Sequence, residues 1–194
     1  IIQTPNLDRL AQEGVLFPFG YVTTSVCRPS LMTLATGLYP HQHRITGNDP
    51  AGGFNNPVYP REDLLSNIDS LNTLPSLLAD HGYISFQTGK WWEGNFIRGG
   101  FTHGMTQGNR HGDEGLKIGR EGLDTIYHFV DYAILEGKPF FLWYAPFMPH
   151  SPHTPPQRII DKYDSLELPL PVARYYTMVE WFDETCGELI QFLE

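Results

Sequence analysis

The chain has 194 residues, with 13 basic and 22 acidic side chains and a formal charge of −9, a single domain's length and long enough to bury a sizeable core. With 41% hydrophobic, 13% aromatic and only 18% charged residues, an intrinsically disordered chain is excluded, and the acidic balance argues against nucleic-acid or anionic-membrane binding, which needs basic surface. No apolar run approaches the roughly 20 residues of a membrane span; the longest, Phe140 to Ala145, suits a buried strand.

In chain order, Thr4 to Gly14 carries a capping hydroxyl, Pro5 at the first helical position, Leu7 and Leu10 on one face and a closing glycine, which predicts a short amphipathic helix. Val15-Leu16-Phe17 reads as the start of a strand that Pro18 limits. A second helix is expected from about Pro29 to Ala35, closed by Thr36-Gly37, with Cys27 at its N-terminus. His41 to Asn67, rich in Gly, Pro and Asn, reads as one long irregular loop. Thr73 to Tyr83 repeats the first helical pattern and leads into an alternating strand, Ile84 to Gln87.

Residues 93 to 115 are glycine-rich and read as a further loop. Gly119 to Glu136 has Leu123, Ile126, Tyr127, Val130, Ile134 and Leu135 at helical spacing, and Val172 to Glu194 predicts a long final helix with Cys186 on its apolar face. Helix alternating with strand predicts an α/β fold: a partial, mainly parallel sheet covered by helices on both faces, with ligands at the carboxyl ends of the strands.

Two cysteines are too few for a disulfide framework and lack metal-binding spacing. Cys27 is a thiol that a helix dipole can activate, or a small buried apolar residue. Lys90, just past a strand, can meet an anion there or remain a solvated surface lysine. His150 stands in a Pro-rich turn after Phe140 to Ala145, where a restricted backbone holds the imidazole, and His153 either contacts substrate or caps the turn. His41-Gln42-His43 is a weak metal signal, and His43 reads as non-functional. Asn48 and Asp49 can read substrate hydroxyls or make an Asx turn before Pro50. Trp91, Trp92, Phe96 and Phe101 form an aromatic group near Lys90, with Trp91 expected buried and Trp92 near the pocket.

The segment from Val22 to His41, with Cys27-Arg28-Pro29-Ser30 followed by Leu34-Ala35-Thr36-Gly37, resembles the sulfatase signature, in which C-x-P-S-R opens a helix ending in L-x-T-G. The resemblance extends to Thr4 through Leu10, Thr88-Gly89-Lys90-Trp91, Phe140 through His150 and Glu180 through Thr185. It implies an alkaline-phosphatase-like α/β fold and hydrolysis of a sulfate ester, carried by a sulfated small molecule or a glycan; the aromatic group and the long polar loops favour the carbohydrate over a small aryl sulfate.

Cys27 would be the nucleophile, after a formylglycine-generating enzyme has oxidised it, and would also ligate a Ca²⁺ ion; Lys90 and His150 would hold the sulfate or protonate the leaving oxygen. Arg28, Trp92, His153, Asn48 and His103 would contact substrate. The resemblance further implies that residues 1–194 are one internal part of a catalytic domain, without its first strand and C-terminal portion and hence without most Ca²⁺ ligands, in a periplasmic or extracellular protein.

The sequence departs from the pattern twice. Leu31 stands where the family has arginine, and Trp92 where many members have histidine, a gap that His103 could fill. Two other readings follow: a phosphonate or phosphate ester hydrolase using the same nucleophile, or a non-catalytic protein that only binds an anion.

Overall fold

A computed structural model describes residues 2–55 and 57–194, apart from the side chains of residues 164 and 165. Its sheet has three parallel strands, β1 (Ile84–Gly89), β2 (His103–Gly104) and β3 (Phe140–Ala145), in the order β2-β1-β3. In register, Phe86 pairs with His103 on one side and with Leu142 on the other, so β1 is the central strand. Central placement buries β1 throughout, whereas β3, expected to be buried, lies at an edge and is half-buried along its length.

The two-residue side-chain alternation of strands divides the core. Ile84 and Phe86, with Phe140, Leu142 and Tyr144, pack on α6 (Asp124–Leu135) and on Leu189 of α8 (Leu170–Leu193). On the opposite face, Phe141 and Trp143 meet Trp91, Phe101 and the buried Met32 and Ala35 of α2 (Cys27–Thr36). Helices therefore cover both faces, as the alternation of elements predicts; α5 (Leu74–Ala79) precedes β1, and α7 (Gln157–Ile160) lies between β3 and α8.

Several elements differ from the sequence reading. Val15, Leu16 and Phe17 form no strand; they are exposed, and the described sheet places no strand beside them to satisfy their amides. The stretch 41–67 is not one irregular loop: the single helical turn α3 (Pro40–His43) begins it and α4 (Arg61–Leu65) lies near its end, while Asn56 lies outside the described residues. Residues 93–115 hold a 3₁₀ turn at Phe96–Gly99, strand β2 and the first part of a kinked 3₁₀ segment, Arg110–Lys117. On α6 the buried positions are Ile126, Phe129, Val130 and Ala133, one i, i+3, i+4, i+7 stripe, and Ile134 and Leu135 face solvent.

The ends of the chain meet. Thr4 does not cap α1 (Pro5–Glu13), since its hydroxyl donates to Asp8 instead. The cap comes from the buried Asp183 on α8, whose carboxylate accepts the Asn6 N–H at 3.2 Å, the Leu7 N–H at 2.8 Å and the Asn6 side-chain amide at 2.8 Å. Glu180, one turn earlier and also buried, accepts from the Tyr163 hydroxyl at 2.8 Å and pairs with Lys162. The Glu180 to Thr185 block is thus a polar seam that pins neighbouring elements to α8.

Candidate active site

The site forms where α2 begins and β1 and β3 end. Cys27 is the first residue of α2, and its half-exposed thiol lies at the positive end of a ten-residue helix. Lys90 follows β1, its backbone N–H donating to Ala145 O at 2.7 Å. Its ammonium reaches Cys27 Sγ at 3.2 Å and lies 5.5 Å from the centre of the Phe147 ring. Gly89 makes that exit possible: its φ is +72°, and a Cβ there would fall 1.8 Å from Ala145 O.

Phe147 carries His150, whose exposed ring stacks on it at 4.2 Å with a ring nitrogen 2.6 Å from Ser151 O. The structure thus gathers Cys27, Lys90 and His150 at one end of the sheet, although 63 residues separate the first two in sequence.

The other predicted contacts are distributed differently. Arg28 does not face the opening; its guanidinium turns inward onto Glu93, with both bonds at 2.5 Å, and onto Leu64 O. The two side chains are 1% and 0% exposed, and burial pushes the Glu93 carboxyl upward while Arg28 draws it down. Asn48 lies at the site, but its Oδ1 accepts the Arg28 backbone N–H at 2.8 Å and so satisfies a free amide of the first turn of α2.

Trp92 is buried beneath the site, not lining it; its indole N–H has no acceptor among the described residues. His103 sits on the outer strand β2, its ring 5.4 Å from those of both Phe129 and Tyr132, so it cannot stand in for a histidine at position 92. His153 turns toward Tyr175 of α8 at 5.9 Å. His43 is buried, with Nδ1 accepting the Ile45 N–H at 3.1 Å, and burial lowers its pKa. Cys186 is half-buried on α8, and burial raises its thiol to about 11.

Sequence reasoning missed three members of the site. Arg110 forms a bidentate pair with Asp49, both bonds at 2.8 Å, and lies 4.8 Å from the Trp92 ring. His111 stands edge-on to Trp92 at 4.3 Å, 5.4 Å from Phe147 and 5.7 Å from His150. Burial chiefly, then the charges of Arg110, Lys90 and His150, lower the His111 pKa to about 4, against the opposing charge of Asp49. The available signal was Gly112 beside His111: with φ +118°, a Cβ there would come 2.4 Å from Gly89 O, so only glycine lets this segment close on the exit of β1. Arg61 fastens the same region, donating to Gly108 O at 2.8 Å and to Trp92 O at 2.9 Å.

No three His, Cys, Asp or Glu side chains among the described residues gather to hold a metal, around Cys27 or elsewhere. No helix among the described residues is long and apolar enough to cross a membrane.

The family model for sulfatases matches residues 1–194. The chain belongs to the sulfatase family. It is 28% identical to N-acetylgalactosamine-6-sulfatase of Homo sapiens, a match covering 99% of this chain and 42% of that protein. It is 30% identical to N-acetylglucosamine-6-O-sulfatase of Bacteroides thetaiotaomicron over 88% of this chain and 30% of the relative. The crystal structure of a sulfatase from Pseudoalteromonas sp., PsFucS1, superposes with a TM-score of 0.67 at 22% identity, covering 99% of this chain and 46% of that one, which shows the shared fold. This sulfatase chain spans less than half the length of the relatives it matches. The alkaline-phosphatase-like architecture expected of a sulfatase is the one observed.

Proposed function

We propose that the protein containing this chain hydrolyses a sulfate ester of a carbohydrate, with position 27 as its nucleophile. The observation that carries this reading is the 3.2 Å approach of Lys90 Nζ to Cys27 Sγ at the start of α2, in a sulfatase-family chain. Once oxidised to formylglycine, residue 27 supplies a geminal diol that can accept a sulfuryl group and later release it.

The remaining work falls to this chain's own side chains. Lys90 sets a fixed positive charge beside the reacting position, where negative charge accumulates on sulfate oxygens. The backbone N–H groups opening α2 add a second positive field from the other side. His150, exposed and held by its stack on Phe147, can pass a proton to the leaving oxygen of the sugar. Arg28, buried with Glu93, fixes where the helix starts rather than touching substrate.

The relatives named for 6-sulfated N-acetylhexosamines support that substrate class. The role of Ca²⁺ rests on the family resemblance alone, since the described residues bring no ligand cluster together.

The test begins with co-expression of the full-length protein and a formylglycine-generating enzyme. Mass spectrometry of the tryptic peptide that holds residue 27 is expected to show loss of the thiol and gain of the aldehyde. Turnover is then compared for 6-sulfated N-acetylhexosamines and for the same sugars as phosphate esters. An unmodified thiol would favour a binding protein, and faster phosphate release would reassign the reaction.

A further inference from the structure

We infer that His111 is an oxyanion-binding residue of this site, and that Asp49 and Arg110 are positioning residues that make its Nδ1–H available to a bound sulfate oxygen. This rests on the reading that a sulfate ester binds beside Lys90.

The argument starts from which atoms can donate. Arg110 Nη1 lies 3.1 Å from His111 Nε2. A guanidinium has only donors, so Nε2 must present its lone pair, and the ring proton is then on Nδ1. Arg110 is in turn held by the two Asp49 bonds at 2.8 Å and by its place 4.8 Å from the Trp92 ring. A neutral imidazole in a single tautomer is the result, fixed by a carboxylate two side chains away.

The ring itself is clamped. Trp92 meets it edge-on at 4.3 Å, Phe147 and His150 flank it at 5.4 and 5.7 Å, and the Trp91 N–H donates to the His111 carbonyl at 3.0 Å. The backbone adopts a left-handed φ of +69°, costly for a residue with a side chain and held here by those contacts. Nε2 is committed to Arg110, and the hydrogen bonds of the described residues include none at Nδ1.

The charges facing the ring are Lys90, Arg110 and His150, with Asp49 behind Arg110. That field attracts an anion to the site beside Lys90 and opposes a second proton on the imidazole. Burial works in the same direction, so the ring stays a neutral donor at physiological pH. Lys90 contributes charge to a bound oxyanion; His111 contributes direction.

The test uses the full-length protein with inorganic sulfate as the probe, so it does not depend on conversion of Cys27. Long-range ¹H–¹⁵N correlation is expected to show the Nδ1–H tautomer of His111, and Arg110→Met should abolish that preference. His111→Leu should weaken sulfate binding about tenfold, the effect of one hydrogen bond to a charged acceptor. His111→Asn, whose amide N–H replaces Nδ1–H, should stay within about threefold of the parent.

An Nε2–H tautomer in the parent protein, or unchanged sulfate affinity in His111→Leu, would overturn the assignment. If His111→Leu does not fold, the tautomer of the parent decides. Sulfate held through His111 without ester turnover would support this assignment and refute the proposed reaction, which separates the two failures.

Discussion

Arg28 and Glu93 form a bidentate ion pair with both bonds at 2.5 Å, and their side chains are 1% and 0% exposed. Arg28 follows Cys27 in sequence and Glu93 lies three residues after Lys90, so the pair ties together the two segments that carry Cys27 and Lys90. Removing one partner leaves a buried charge without compensation. Glu93→Gln is expected to cost about 3–5 kcal/mol in urea unfolding, and Arg28→Met paired with Glu93→Leu appreciably less than the sum of the single changes. Equal costs for the double change and that sum would show the pair is not coupled.

Lys90→Met keeps the stem of the side chain and deletes the charge 3.2 Å from Sγ. In the full-length protein kcat/KM should fall by about 10²–10³, the loss seen when a preorganised partner of a developing oxyanion is removed. Formylglycine content, read by mass spectrometry on the same preparation, should be unchanged. Turnover equal to that of the parent would place the sulfate elsewhere.

The pH dependence of stability has a component assignable to His111. Its folded pKa of about 4 lies below the ordinary 6.5, so between these values the unfolded chain binds the proton first. The contribution is complete above pH 6.5, declines as pH falls toward 4, and is flat again below. NMR titration of the His111 ring should show a midpoint near 4, and His111→Asn should flatten the stability curve between pH 6.5 and 4. A midpoint near 6.5 would contradict this.

Asp183 is the anchor of α1. That helix buries none of its own side chains, and the Asp183 carboxylate accepts its opening N–H groups from Asn6 and Leu7. Asp183→Ala should cost about 1–3 kcal/mol through unsatisfied buried donors. Amide exchange should accelerate in residues 5–13 well before the β1 amides respond; uniform loss of protection would instead make α1 part of the central cooperative unit.

Local chemistry made much of the scaffold legible from sequence. Pro and Gly punctuation marked α1, α2 and the helix at 74–79, alternation marked β1 and a continuous apolar run marked β3, because caps, turns and side-chain periods act over only a few residues. The same local logic put Cys27 at a helix start and Lys90 at a strand exit. It could not say which polar residue would be turned inward. Arg28 was expected to touch substrate, yet Glu93 captures it; Trp92 was expected near the pocket, yet Arg110 and His111 cover it. Long-range geometry decided both, since a buried charge goes wherever its counter-charge lies, however distant in sequence.

Read alone, the order of residues determined a parallel α/β layout, a thiol at a helix tip and the family's blocks in sequence. Tertiary structure alone decided that Asp49, Arg110 and His111 join Lys90 and His150 at one strand end. The cause is packing: Gly112 can approach Gly89 O only because Gly112 has no Cβ, and that close approach, invisible to any local pattern, carries an imidazole to the site beside Lys90.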